Sequence, residues 1–455
     1  MVELVQYIRS DSPLRWLVLF LACVALFGSY YVYDNPAALK GPLQQELKLD
    51  DFQFNLLYSV YSFPNIVLPF FGGYLVDRFG TNVTLFSFLL IICVGQTVFA
   101  VGVSTKNYEM CLIGRSIFGV GGESLSVAQT TLLALWFEGK EMAFAMGLNL
   151  SIARLGSVVN DQVSPALYTR YHDLHHPVWL GVGICVVSLT AVVLLVMVER
   201  NAAAKHAATS TDMDSKQRAD EPLNCAQVVK FPAIYWLLAA SCVIVYAAVL
   251  PFNNVAGGVM QEGYHRSLLE ADHLLAVPFT VSAVSSPFLG GLVDKFGRRA
   301  VLLTMSAALL TAAHVFLASH YFPPLVSLLM LGVSYSVYDA AVWPSVALVI
   351  RDDQLGTAFG VVTAIQNCGL ALFPILVGYI HDVTHEYFWV EMLFAGVSSV
   401  GVVIGIMINI EDEKLGMVLN SPTPEPLESK VVHTPREVKS LLDDDDRESG
   451  RYKRQ

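Results

Sequence analysis

The feature that most limits this chain is a repetition: apolar stretches of about 20 residues, each long enough to cross a hydrocarbon layer of roughly 30 Å, recur along nearly its whole length. About twelve can be placed by hydropathy, near 14–33, 53–75, 82–102, 108–134, 142–166, 177–198, 231–258, 270–293, 299–319, 323–350, 355–380 and 388–410. Inside such a layer no water pairs with backbone N–H and C=O groups, so a segment that crosses it must pair them internally, as a helix. An all-α membrane protein is the expected class. The first run has no small-residue cleavage site and continues straight into DNPAAL (Asp34–Leu39), so it reads as a retained span.

With only 15% of the residues charged, those that remain are informative. If both termini are cytoplasmic, Arg9, Arg15, Arg78, Lys140, Arg200, Lys205, Lys216, Arg218, Lys230, Lys295, Arg298, Arg299 and Arg351 fall on that side. The other side keeps Lys40, Lys48, Lys106, Arg170 and Arg266, a bias that supports this orientation. His172, His175, His176, His265, His273, His320, His381 and His385 all map to the non-cytoplasmic side, where imidazoles would respond to acidity. The seven cysteines are scattered singly, which implies neither a disulfide framework nor a zinc site. No phosphate loop, metal cluster or nucleophile–base arrangement is present, so the chain does not read as an enzyme, and neither a cofactor nor a nucleic-acid partner is expected.

Polar composition divides the chain into a cytoplasmic N-terminus (1–13), a six-span bundle (14–198), a cytoplasmic linker (199–230), a second six-span bundle (231–410) and a disordered acidic cytoplasmic tail (411–455). The tail carries DDDD at Asp443–Asp446 and contributes much of the net charge of -11. The two bundles repeat one another. GYLVDRFG (Gly73–Gly80) matches GGLVDKFG (Gly290–Gly297), and MGLNLSIARLG (Met146–Gly156) aligns with FGVVTAIQNCG (Phe359–Gly369). Gly73 and Gly290 would let helices approach closely, and Asp77 and Asp294 would each favour a helix N-terminus of their own half.

The paired GxLxD(R/K)xG loops resemble those of the major facilitator superfamily, which implies twelve transmembrane helices in two pseudo-symmetric six-helix bundles. The second copy is complete through Arg298 and Arg299, whereas the first departs at Thr81 and Asn82. Gly73, Asp77, Arg78, Gly80, Gly290, Asp294, Lys295, Gly297 and Arg298 are therefore expected to form gating loops. Arg115, in GRSIFG, is similar to the superfamily's fourth-helix arginine signature and is expected to have a structural or gating role.

A charge near the bilayer centre costs about 2.5–3.5 kcal/mol on insertion scales, so it must face protein or water. In the fourth run Gly119, Glu123, Ser126 and Thr130 share a helix face; in the fifth, Gly147, Ser151, Arg154 and Asp161 do. On adjacent helices these stripes would let Glu123 pair with Arg154. That pair could weld two helices, or it could bind a zwitterion, with Glu123 attracting an ammonium group and Arg154 holding a carboxylate. In the repeat, Arg154 aligns with Asn367, and Gly332, Ser336, Asp339 and Trp343 repeat the fourth-run spacing, so acids of both halves could face one cavity. Asp339 is open between structural and substrate roles. Tyr58, Tyr61 and Tyr246, deep in their spans, are further substrate candidates, whereas Tyr30, Tyr31 and Tyr33 close the first run as interface anchors.

Within the superfamily, YDNPAAL (Tyr33–Leu39), LLYSVYSFPN (Leu56–Asn65), FGVGGESLSVAQ (Phe118–Gln129), LSIARLGS (Leu150–Ser157), SYSVYDAAVWP (Ser334–Pro344), QLGTAFG (Gln354–Gly360) and AIQNCGLA (Ala364–Ala371) resemble its lysosomal dipeptide carriers. The resemblance implies dipeptide export from the lysosome by a uniporter, with an acid at Glu123 and a base at Arg154 in the binding cavity. It also implies a single-span glycosylated lysosomal membrane partner. The family's N-terminal dileucine signal is absent, and EVKSLL, with Glu437, Leu441 and Leu442, fits an acidic dileucine sorting signal in its place. Asp339 stands where the resemblance implies a small apolar residue. Proton-coupled symport of peptides or small organic ions, residence in the plasma membrane, and a non-transporting sensor or scaffold on the same fold stay open. Against symport, no acid or base lies between Arg15 and Asp34, and a neighbouring Arg154 would keep Glu123 ionised.

Overall fold

The computed structural model describes residues 13–49, 51–62, 64–137, 141–207, 228–266 and 268–422. Its first-half helices are α1 (Leu14–Ala38), α2 (Lys40–Leu47), α3 (Asp51–Ser62), α4 (Leu68–Phe79), α5 (Thr81–Ser104), α6 (Tyr108–Trp136), α7 (Met142–Tyr171) and α8 (His175–Ala207). The second half comprises α9 (Ala233–Gly258), α10 (Leu268–Phe296), α11 (Arg299–Ser319), α12 (Pro324–Val349), α13 (Leu355–Thr384) and α14 (Tyr387–Lys414). Among the described residues no strand occurs.

Ten of these helices are long and apolar enough to cross a membrane. The two remaining crossings are those whose sequences carry polar interruptions. The second is split by Pro64, with a short 3-10 turn (Pro64–Ile66) between α3 and α4. The fourth, α6, has its apolar character diluted by Arg115, Glu123 and a run of glycines and serines.

The packing within each half is the same. In the first, α1 lies on α7 and α8, and α5 on α6 and α8; in the second, α9 lies on α13 and α14, and α11 on α12 and α14. The halves meet along two seams, α4 with α13 and α7 with α10. Both seams are tightest at the end of the bundle that carries the GYLVDRFG and GGLVDKFG turns, called here the loop face. From Met142 to Ala153 α7 is buried or half-buried, and from Leu355 to Val362 α13 is wholly buried. Beyond Arg154 and Asn367 both helices become exposed, at Leu155, Val158 and Val159 and at Leu372, Ile375 and Leu376. The halves are closed on the loop face and part toward the opposite one.

The described chain extends past the expected start of the tail. After α14, residues 415–422 turn back onto the second loop, where Val418 and Leu419 are buried and Asp412 accepts from the Leu419 N–H at 2.7 Å. This segment also satisfies the start of α11, since the Leu419 and Asn420 carbonyls accept from the N–H groups of Arg299 (3.1 Å) and Arg298 (3.2 Å). Residues 411–422 are therefore part of the packed bundle. Most of the linker and the sorting motif at Glu437, Leu441 and Leu442 lie outside the described residues.

Candidate functional site

The loop-face closure is built from the two loop motifs. The Asp77 carboxylate accepts from the N–H groups of Gly356 (2.7 Å) and Thr357 (2.6 Å), the start of α13. Asp294 accepts from Ala143 (3.1 Å) and Phe144 (2.8 Å), the start of α7, and pairs with the nearly buried Arg299 at 3.3 Å. Each acid thus completes orphan donors and the dipole of a helix in the other half, not in its own as the spacing predicts. Spacing identifies an acid near a helix start; only the docking of the halves decides which one. The glycines make that docking possible, because a methyl group on Gly73 would overlap the Gly356 carbonyl and one on Gly290 the Ala143 carbonyl. Gly80 and Gly297 take left-handed φ of 83° and 64° and turn the chain between helices. The basic members of the motifs stay at the rim: Arg78 donates to the Tyr74 hydroxyl, Lys295 lies over the Phe296 ring, and Arg298 supports the 415–422 segment.

Arg115 is not part of this closure. It sits two turns from the opposite end of α6, fully buried, and donates to the carbonyls of Val32 (3.3 Å) and Tyr33 (3.2 Å). Pro36 removes the N–H that would otherwise pair with the Val32 carbonyl, and Arg115 takes that place. The rings of Tyr33, Tyr58, Tyr61 and Phe118 surround its guanidinium at 5.1–5.7 Å. Tyr58 therefore belongs to the Arg115 brace. The second seam repeats the device, since Pro287 frees the Ala283 carbonyl and Ser151 of the other half donates to it at 2.8 Å.

Above the seams lies a polar centre. Arg154 pairs with Asp339 across the halves (3.1 Å) and also donates to the hydroxyls of Tyr335 (2.9 Å) and Ser282. Tyr246 donates to the other Asp339 oxygen, and the Trp343 indole N–H donates to Tyr246 at 3.0 Å. The side chains of this pair are 14% and 3% exposed, so it is nearly cut off from solvent. The expected pairing of Glu123 with Arg154 does not occur. Helix α6 packs chiefly on α5, α3 and α4, while α7 packs on α1 and α10, so the two stripes turn to different neighbours.

Glu123 is half-buried and accepts from the Tyr61 hydroxyl at 3.3 Å; among the described residues it makes no ion pair. Tyr30, from α1, interacts electrostatically with Glu123, Arg154 and Asp339. Asn367 lies at the seam itself, donating to the Asn65 carbonyl at 2.8 Å beside the 3-10 break. Ser336 turns its hydroxyl back to the Gly332 carbonyl and away from the centre. The working face of α12 is Tyr335, Asp339 and Trp343, one turn apart each. Tyr30, expected as an interface anchor, instead faces this centre; Ser282 and Tyr335 are site residues for which the sequence offers only the four-residue spacing of Tyr335 to Asp339.

Two like helical halves, latched at one face and parted at the other around a charged centre, have the architecture of a membrane transporter. The chain belongs to the Major Facilitator Superfamily, whose family model matches residues 16–257 and 244–441. It is 36% identical over 425 residues to the lysosomal dipeptide transporter MFSD1 of Homo sapiens, covering 92% of this chain and 91% of that one. The MFSD1 of Danio rerio is 36% identical over 409 residues, covering 88% and 87%. Among solved structures, the proton:xylose symporter XylE aligns with a TM-score of 0.67 at 15% identity over 92% of this chain and 99% of that one. The transporter FucP, in an outward conformation, aligns with a TM-score of 0.64 at 17% identity over 86% and 98%. At such identities the solved structures speak for the fold alone.

Proposed function

We propose that this chain carries dipeptides by alternating access, as a uniporter exporting them from the lysosome to the cytosol. The observation that carries the reading is the unequal partnering of the polar centre. Among the described residues Glu123 has a neutral donor and no cation, while Arg154 has a carboxylate partner lent by the other half. A zwitterion supplies what is missing: its ammonium group goes to Glu123, and its carboxylate competes with Asp339 for Arg154, where a planar guanidinium can hold it in two-point fashion. A site that already contains charges of both signs disfavours sugars and simple anions, and the named relatives favour the same substrate class.

The loop face is then cytosolic, in keeping with the lysine and arginine bias, and the structure corresponds to the state open to the lumen. The substrate enters between the parted ends of the halves and frees Arg154 from Asp339, which loosens the tie between α7 and α12. The 14–198 and 231–410 bundles then rock until the Asp77 and Asp294 latches release. A single-span glycosylated membrane protein is the proposed partner, because no glycosylation sequon falls in an expected lumenal loop of this chain.

The Arg154–Asp339 pair favours one second reading: if Asp339 takes up a proton when Arg154 is withdrawn, substrate and proton move together. The test is purified protein, screened by thermal shift against amino acids, dipeptides, sugars and organic anions, then reconstituted in liposomes with labelled dipeptide and a lumenal pH dye. Dipeptide flux with no stoichiometric pH change supports uniport. Flux of another class instead of dipeptides overturns the substrate reading.

A further inference from the structure

A second buried titratable pair lies outside the polar centre. On α11, His314 Nδ1 is 2.8 Å from Glu391 Oε2 on α14, and the two side chains are 0% and 2% exposed. Their neighbours are the rings of Phe252 and Phe394, at 5.3 and 5.1 Å from the imidazole. Among the described residues Glu391 Oε1 and His314 Nε2 are buried with no hydrogen-bond partner, so no third group there fixes where the shared proton sits. Ionisable side chains inside a span are expensive and ask for a use.

The duplicated half shows that packing does not demand these charges. The register of the paired loops sets His314 opposite Thr97, next to Gln96, and the register of the second repeat sets Glu391 opposite Val178. There the first half makes a neutral bond, from the Gln96 amide to the Val178 carbonyl at 3.4 Å. One half closes this position with an amide, the other with an acid and a base.

The pair also abuts a weak stretch of backbone. Phe252, the ring on His314, follows Pro251, which removes a helical hydrogen bond from α9. A π-turn at Val259–Gly263 ends the helix, and the Tyr387 hydroxyl, one turn before Glu391, presses against Gly258. The groups that reach the pair are few. Burial pushes the Tyr264 phenol up to about 12, with the Glu391 charge adding to it. His320 lies against Tyr264, His381 stacks on Tyr387 at 4.2 Å, and Glu262 is the exposed acid of the π-turn. These groups sit at the opposite face, where the histidines expected from the sequence cluster.

We propose that His314 and Glu391 form a proton-binding site by which the acidity of the compartment at the opposite face sets the order of the outer part of α9. With the imidazole doubly protonated, the pair is a neutral, charge-assisted bond that holds α9, α11 and α14 together. When that proton leaves, a buried carboxylate remains with one neutral donor, and the segment from Pro251 to Gly263 loosens. The stability the pair contributes is therefore present at low pH and lost as pH rises. The effect on transport rests on the carrier reading above; the site itself does not.

The test is the melting temperature of the purified protein between about pH 5 and about pH 8, the range in which histidine titrates, in wild type, His314→Gln and Glu391→Gln. The glutamine copies the amide of the first half, and the second variant keeps the question open if the first does not fold. Wild type should lose stability over this range, and either variant should lose markedly less than wild type. Equal pH slopes in wild type and a folded variant overturn the proposal. Dipeptide flux from acidified liposomes, measured alongside, should exceed flux from neutral ones in wild type and become pH-independent in the variant. If no dipeptide moves in wild type but the melting slopes still separate, the carrier reading fails and the proton site stands.

Discussion

Replacing Asp77 with asparagine should open the loop face by a calculable amount. The carboxylate accepts from two backbone N–H groups at 2.7 and 2.6 Å, at the start of a helix belonging to the other half. Hydrogen bonds to charged groups contribute about 1.5–3 kcal/mol each. Asparagine keeps one neutral acceptor but turns an NH₂ group toward a donor, so the bonding loss is about 2 kcal/mol. Asp77 is only half-buried, so the lost charge–dipole attraction adds about 0.3–1 kcal/mol. A total of about 2–3 kcal/mol shifts the ratio of closed to open loop face about 30- to 150-fold. Spin labels at Arg200→Cys and Lys414→Cys, exposed on the two halves, read that ratio by pulsed electron resonance in a background without reactive cysteines. Asp77→Asn should move population from the short to the long distance. Adding Asp294→Asn, a separate site, should roughly double the free-energy shift. An unchanged distance distribution in the double variant would refute the idea that these acids latch the halves.

Three further outcomes follow from the same geometry. Gly73→Val and Gly290→Val each place a side chain into a facing carbonyl, so either should exclude the closed loop face and abolish transport while leaving melting of the separate halves intact, which labels and calorimetry can check. Arg154→Ala leaves Asp339 buried without its cation, a loss of about 3–5 kcal/mol. Thermal melting should fall and recover in part in Arg154→Ala/Asp339→Ala; no recovery would mean the pair does not couple. Arg115→Met leaves the Val32 carbonyl unsatisfied beside Pro36 and should cost about 1–3 kcal/mol in melting without changing the loop-face distance ratio.

The helical membrane architecture was legible because length and apolarity alone decide it: a 20-residue run has one way to cross hydrocarbon. The repeat was legible because its motifs lie at equivalent turns. Spacing along a helix then says which residues share a face, and Arg154, Ser151 and Gly147 do share one. It does not say which helix that face meets. For this reason spacing alone sets Arg154 against Glu123 next door, whereas its partner, Asp339, comes from the other half. The same holds for Asp77 and Asp294, whose spacing points to a helix start but not to the half that supplies it. For Arg115, which resembles a superfamily signature with a structural or gating role, the carbonyl that Pro36 leaves free decides for the structural one. The His314–Glu391 pair left a signal, an ionisable residue inside each of two spans, but their 77-residue separation hides the contact, which comes from α11 packing on α14.

The central claim is that Glu123 and Arg154 read the two ends of one zwitterion. Its most direct measurement is a binding cycle between ligand and protein: a dipeptide, its N-acetyl form and its C-terminal amide, each titrated against wild type, Glu123→Gln and Arg154→Gln/Asp339→Asn. Loss of one charge-assisted contact, about 1.5–3 kcal/mol, weakens binding roughly 10- to 150-fold. Wild type should show that loss for both modified ligands. Glu123→Gln should become indifferent to acetylation yet stay sensitive to amidation, and the Arg154 double variant should do the reverse. Equal sensitivity to both modifications in all three proteins would contradict the account.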